Sequence, residues 1–301
     1  MARSIDRRTV LAAGLAVAAG VGFTRTVRGG TSGTPQALPG GWIPDRPDPR
    51  DRLLVTPQFA NPVPRPASAD LSGKFPPAYD QGDMGTCTAN AIAAAVQYAR
   101  RVHKKPDDFT PSRLFIYYQQ RKTEGSLTLD AGGQLRDAIA SVANVGVCPE
   151  SDWPYDNVPG DPRTHLFPPN ARAIQAPPSN LVQKAGKYRT ISYEPLSRDI
   201  AVLESCIAGG YPFAFGFRIY GPFDKSTKVL HKPRPDQLTP IMGHAVLATG
   251  YDQSKRTFRI RNSSGPSAND HGYFDMDYDY FQNSDWTGDF WVVYQTVGFI
   301  D

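Results

Sequence analysis

The segment Gln81-Gly82-Asp83-Met84-Gly85-Thr86-Cys87 runs directly into Thr88-Ala89-Asn90-Ala91-Ile92-Ala93-Ala94-Ala95-Val96. Its glycines and Asp83 read as a turn, and the run behind them reads as a helix. Ala89, Ile92, Ala93, Val96 and Ala99 recur at helical spacing and give that helix one apolar face. Thr86 is a candidate N-cap, which places Cys87 in the first turn. A helix N-terminus carries partial positive charge and favours thiolate over thiol. A cysteine at this position is either an activated nucleophile or one of the many that serve as small buried hydrophobes. The presence of a base elsewhere in the chain decides between the two.

There are five histidines, His103, His165, His231, His244 and His271. His103 sits among basic residues, and His165 and His231 lie in Pro-rich stretches. His244 opens an apolar strand, Gly243-His244-Ala245-Val246-Leu247, and stands at an element edge next to core. The segment 251–256 reads as a turn between this strand and a second one at 257–262. With the turn centred near residue 253, antiparallel pairing brings His244 opposite Asn262. A neutral amide beside an imidazole can accept its N–H and fix the ring, which completes a nucleophile, base and orienter.

Working outward, residues 111–120, 134–145 and 199–208 read as helices. Tyr211, Phe213, Phe215, Phe217 and Ile219 alternate as a strand does, and 291–300 reads as another strand. Residues 156–180 and 221–240 read as long loops. Helices dominate the first half and strands the second, so the fold class is α+β with two lobes. Residues 31–68 carry nine prolines and little periodicity, and read as a linker or an extended arm before a domain at 69–301. In that arm, Trp42, Ile43, Leu53, Leu54, Val55 and Phe59 are apolar enough to pack onto a domain surface.

Composition narrows the function classes. Lys+Arg number 33 against Asp+Glu 29 over 301 residues, with no run of five or six like charges, so there is no footprint for nucleic acid. A mean hydropathy of −0.42 excludes a protein of several membrane spans. Residues 1–30 read separately: Arg7-Arg8 precede an apolar stretch from Val10 to Phe23, short for a span and typical of an export signal. Ser4-Ile5-Asp6-Arg7-Arg8-Thr9-Val10-Leu11 resembles a twin-arginine signal, an uncleaved anchor or an ordinary signal being the alternatives. The expected location is therefore extracellular or within the cell envelope, with no other membrane association. Three cysteines, Cys87, Cys148 and Cys206, leave at least one thiol unpaired; Cys148 and Cys206 either pair or stay as buried free thiols.

Taken together, these motifs resemble the papain-like cysteine peptidases. Gln81 through Cys87 resembles their Gln-Gly-x-x-Gly-Ser-Cys segment, and Gly243-His244-Ala245-Val246 their histidine strand. Asn262-Ser263-Ser264-Gly265 with Gly272-Tyr273 resembles their Asn-Ser-Trp-Gly…Gly-Tyr segment. Asp130-Ala131-Gly132-Gly133 is similar to the stretch lining their cleft, and Glu150 with Trp153-Pro154-Tyr155 to the stretch ending in Tyr-Pro-Tyr. The resemblance covers about residues 70–301 in the family's order, and looks closer to a bacterial branch than to lysosomal enzymes.

The resemblance implies a helical left lobe carrying the cysteine helix and an antiparallel, β-barrel-like right lobe carrying His244 and Asn262. It implies that Cys87 attacks the scissile carbonyl, His244 acts as acid and base, and Asn262 orients His244. It also implies that Gln81 and the Cys87 N–H form the oxyanion hole, while Gly132 and Gly133 hold extended substrate. No cofactor or metal is implied, and the partners are a peptide or protein substrate acted on by a monomer. The same chemistry used as a cell-wall amidase or acyltransferase is the first alternative. A non-catalytic binding module is the second, and the intact Cys87, His244, Asn262 and Gln81 argue against it.

The sequence also departs from the family. Met84 and Asp130 occupy the two positions of a usual disulfide, and Thr88 replaces an aromatic. Ser264 replaces the tryptophan that shields the His–Asn hydrogen bond, which leaves the exposure of that bond open. The arm at 31–68 replaces long propeptide helices.

Overall fold

The computed structural model describes residues 41–48, 65–103 and 108–296. The export-signal reading at 1–30, most of the arm and the end of the last predicted strand fall outside these residues. Among the described residues, no helix is long and apolar enough to cross a membrane.

The chain enters the sheet through β1 (Ser68–Asp70) and then forms α1 (Cys87–Val102) from the alanine-rich run. Fourteen of the sixteen α1 residues are buried, which explains the abundance of alanine: neighbouring elements approach all its faces. Helices α2 (Arg113–Glu124) and α3 (Leu135–Asn144) complete the helical lobe close to the expected positions. Ser112 caps α2 by accepting from the Phe115 N–H, and Gly125 ends it in a left-handed conformation (φ 72°).

The segment expected as one long loop at 156–180 ends in α4 (Ser179–Ala185), followed by β2 (Thr190–Pro195) and α5 (Ile200–Ala208). Strands β3 (Phe213–Ile219), β4 (Val229–Leu230), β5 (Met242–Asp252), β6 (Thr257–Arg261) and β7 (Tyr273–Asp277) follow, then α6 (Tyr278–Gln282) and β8 (Thr287–Thr296). They form an eight-stranded sheet in the order β2-β8-β3-β5-β6-β7-β4, with β1 added on β5. All pairings are antiparallel except β4 with β7. The sheet-rich lobe is thus present, and its two end strands, β2 and β4, are not paired with each other.

The two faces of β3 differ. Phe213, Phe215 and Phe217 join Phe258, Phe281 and Phe290 in an aromatic core with ring centroids 4.5–6.1 Å apart. The intervening Ala214 and Gly216 leave room on the opposite face.

The hairpin differs from its expected register. The loop occupies residues 253–256, Asp252 pairs with Thr257, and a bulge lies between Ala248 and Gly250. Asn262 therefore follows the last ladder residue, Arg261, instead of facing His244 in the ladder. Cys148 and Cys206 are both free and buried.

Candidate active site

Cys87 is the first residue of α1 and has no exposed surface. Thr86 precedes it as N-cap residue but caps nothing with its side chain. Its hydroxyl instead lies 2.7 Å from the Tyr155 hydroxyl and accepts from Asn90 Nδ2. The Cys87 Sγ accepts from the Ala245 N–H at 3.3 Å, which brings the start of β5 against the helix N-terminus.

His244 precedes Ala245, and its Nε2 lies 2.9 Å from Asn262 Oδ1. An amide oxygen only accepts, so Nε2 carries the hydrogen and Nδ1 of the neutral ring is left as an acceptor. The exposure of this bond, left open by the sequence, is low: His244 is 8% and Asn262 4% exposed. With serine at 264, the rings of Phe217 and Phe223 flank the imidazole at 5.6 and 6.2 Å. Asn262 Nδ2 donates to Ser264 Oγ and Asn269 Oδ1, which fixes the amide from its other end.

Gln81 lies on the same floor. Its backbone N–H donates to Ser263 O at 2.8 Å, and its Oε1 accepts from Ser263 Oγ at 2.5 Å. Its Nε2 spends one hydrogen on Met84 O at 2.9 Å and has a second to offer. Tyr155 clamps the loop at both ends, donating to Gln81 O and accepting from Thr86 Oγ1. The Arg113 guanidinium stacks on Tyr155 at 4.0 Å, donates to Asp80 O and pairs with Glu150 at 2.8 Å.

Where a disulfide was expected to be missing, a hydrogen-bonded staple takes its place. Asp130 Oδ1 accepts from the Gly85 N–H at 3.0 Å and from Tyr117 Oη at 2.7 Å, and Oδ2 accepts from the Gly160 N–H. Charge-assisted bonds of this kind are about twice as strong as neutral ones.

The arm crosses this site. Gly133 N–H donates to Gly41 O at 2.8 Å, and Gly133 O accepts from Ile43 N–H at 3.0 Å. Trp42 pairs with Gly133 in parallel and donates its N–H to Gly243 O on the opposite wall. Gly133, expected to hold substrate backbone, thus holds the chain's own backbone. Gly132 lies beneath, where a Cβ would stand 2.3 Å from Gly41 O. Gly41 itself has φ +129°, and a Cβ there would stand 2.7 Å from Cys87 Sγ. The arm therefore passes over the thiol at a residue without a side chain. Trp42 is 3% exposed, and its indole N–H donates to Asp289 Oδ2 at 2.9 Å.

Burial sets the electrostatics. The Cys87 thiol is pushed up to about 12, chiefly by removal from water, against which the Ala245 and Thr88 N–H groups act. Burial also lowers His244, while its bond to Asn262 pulls the other way. Both shifts favour the neutral form, thiol for Cys87 and imidazole for His244.

Residues 65–288 match the sequence profile of the papain family cysteine proteases. The chain belongs to that family. A peptidase C1-like protein of Acanthamoeba polyphaga mimivirus is 34% identical over 225 residues, covering 72% of this chain and 70% of that protein. Xylellain, a cysteine protease from Xylella fastidiosa, superposes with a TM-score of 0.76 at 41% identity, covering 86% of this chain and 97% of its own. A digestive procathepsin L2 from Tenebrio molitor larval midgut shares the fold at 23% identity and a TM-score of 0.60, covering 86% and 75%. This papain-family chain is a cysteine-type peptidase, a thiol-dependent hydrolase of peptide bonds. Ser263 carries part of the site although it had no assigned role in sequence, its one signal being adjacency to Asn262. Asp289 had no signal at all.

Proposed function

We propose that the chain cleaves peptide bonds through a thioester on Cys87. The observation that carries this reading is the convergence of Cys87, Ala245 N–H, the His244–Asn262 pair and the Gln81 amide on one buried spot. In the reaction His244 takes the Cys87 proton, Sγ bonds to the scissile carbonyl carbon, and the C–N bond breaks as His244 protonates the leaving amine. Water, deprotonated by His244, then hydrolyses the thioester. The second Gln81 Nε2 hydrogen and the Cys87 N–H stabilise the oxyanion.

The arm makes this a latent form, since substrate backbone and residues 41–43 compete for Gly133. An epoxide thiol inhibitor, applied under reducing conditions, is expected to label Cys87 alone once the arm is displaced, with loss of casein and fluorogenic-peptide cleavage. Absence of labelling at Cys87 in the displaced form would sink the reading.

Ser263 fixes which end of the Gln81 amide faces the oxyanion. Ser263→Ala is expected to lower kcat with KM nearly unchanged. The loss should stay below the roughly 10²–10³-fold seen when an oxyanion donor is removed outright. A change confined to KM would show that Ser263 has another role.

Export through the Arg7-Arg8 segment completes the reading. Its support is the charged start and the short apolar stretch behind it. Replacing both arginines with lysine in the full chain is expected to retain the protein in the cytoplasm, scored by fractionation; unchanged export would exclude a twin-arginine route.

A further inference from the structure

Trp42 occupies a slot whose walls are made of backbone. On the β3 wall, a Cβ at Gly216 would stand 1.9 Å from Trp42 Cε2 and 2.2 Å from Nε1. A Cβ at Gly243 would stand 2.5 Å from Trp42 O and 3.1 Å from Cε3, and one at Gly288 3.7 Å from Cζ2. Gly216 and Gly288 are cross-strand partners, and Gly216 also pairs with Ala245, the residue whose N–H reaches Cys87 Sγ. Glycine inside a strand costs stability and marks close approach of another group. Here three of them clear a flat space beside the nucleophile.

The end of the slot is polar by construction. The β3–β8 ladder slips between Ala214 and Gly216, so β8 carries an extra residue at the bulge. Asp289 lies there with φ +55°. Bulges near active sites re-aim side chains, and a non-glycine residue in the left-handed region stores strain that something else must justify. The result is an Asp289 carboxylate directed at the indole N–H, with the same Oδ2 also accepting from the Asp45 N–H at 2.8 Å.

We propose that this slot is a substrate side-chain pocket selective for indole, so that the peptidase takes tryptophan at the substrate position next to the one over Cys87, and that Asp289 determines this preference. The walls admit a flat ring and exclude branched side chains. A phenyl or aliphatic group would fill part of the space but forgo the hydrogen bond that the indole N–H makes to Asp289 Oδ2. Arg198, stacked on Phe290 at 5.6 Å, places positive charge in the Asp289 neighbourhood and disfavours a second cation, so arginine is the weaker guest. Trp42 thus mimics the side chain the pocket is shaped for. The substrate assignment rests on the peptidase reading; the pocket's selectivity does not.

The test empties the slot in place. In the full chain carrying Trp42→Ala, binding of N-acetyl-tryptophanamide is compared by calorimetry with the phenylalanine, leucine and arginine amides. The tryptophan amide is expected to bind at least fivefold more tightly than any other. Adding Asp289→Asn is expected to bring the tryptophan-to-phenylalanine ratio to near one, and adding Gly216→Val to abolish binding. The milder Trp42→Phe chain, which keeps the packing, should retain the native fold by circular dichroism and gain hydrolysis of tryptophan peptides over phenylalanine peptides. Equal affinity for phenylalanine or leucine, tighter binding of arginine, or a ratio unaffected by Asp289→Asn overturns the proposal. Selective binding by a protein that cleaves no peptide would instead leave the pocket standing and remove the peptidase mechanism.

Discussion

Replacing His244 with alanine is expected to lower kcat/KM for fluorogenic peptides by roughly 10²–10⁴-fold, the span that general acid–base groups contribute. In the proposed mechanism His244 serves twice, in drawing the proton from Cys87 and in delivering one to the leaving amine, and no other histidine among the described residues is placed to substitute. His103, His165 and His271 are exposed, and His231, also exposed, pairs with Asp277. The substitution also empties the space between Phe217 and Phe223, so activity alone would not separate chemistry from packing. Asn262→Ala makes the separation: it keeps the base and loses the acceptor that holds Nε2–H. Its expected loss is smaller, and its pH–rate profile should keep the limb that reports the imidazole, which His244→Ala should lack. Retention of more than a tenth of activity by His244→Ala would remove this residue from the mechanism.

The loop that carries Cys87 is legible in sequence because its geometry is local. A cysteine behind a glycine-rich turn and ahead of an alanine-rich run can hardly be elsewhere than at a helix start. The His244–Asn262 contact was read for a partly mistaken reason. The ladder register is shifted by the four-residue loop and by the bulge near Gly250, yet the two side chains still meet. Asn262 leaves β6 and is held by its N–H on Gly272 O and by Ser264 and Asn269. Strand register depends on turn type and bulges, which periodicity does not encode. The missing disulfide is visible in the sequence but its replacement is not: Asp130 reaches Gly85 across 45 positions, and nothing in the local sequence announces that partner. Strand β2 and helix α4 were hidden for a similar reason. They follow a proline-rich stretch, and β2 gains its ladder only from β8, far along the chain.

The arm was the least legible part, and it supports the second large prediction. Proline-rich sequence without periodicity adopts whatever conformation its tertiary partners impose, here Gly133 on one wall and Gly243 on the other. Truncating Trp42 to alanine should weaken docking by about 3–5 kcal/mol, the usual cost of removing a buried aromatic. Because labelling of Cys87 requires an open cleft, its rate should rise by roughly 10²- to 4 × 10³-fold, at about 1.4 kcal/mol per tenfold. The same opening returns water to the thiol, so its pKa should fall from about 12 while His244 rises, and labelling should extend to lower pH. Docking has its own pH dependence. Asp45 is pushed up to about 8, first by withdrawal from water and then by Asp289, against the Arg136 and Trp291 groups that favour its charge. Docking therefore favours the protonated form of Asp45. Docking is strongest below the ordinary carboxylate range and weakens as pH rises from about 4 toward 8. Asp45→Asn should flatten that dependence, measured as Cys87 labelling against pH in the full chain. A labelling rate unchanged in Trp42→Ala would mean that the arm does not limit access to the thiol.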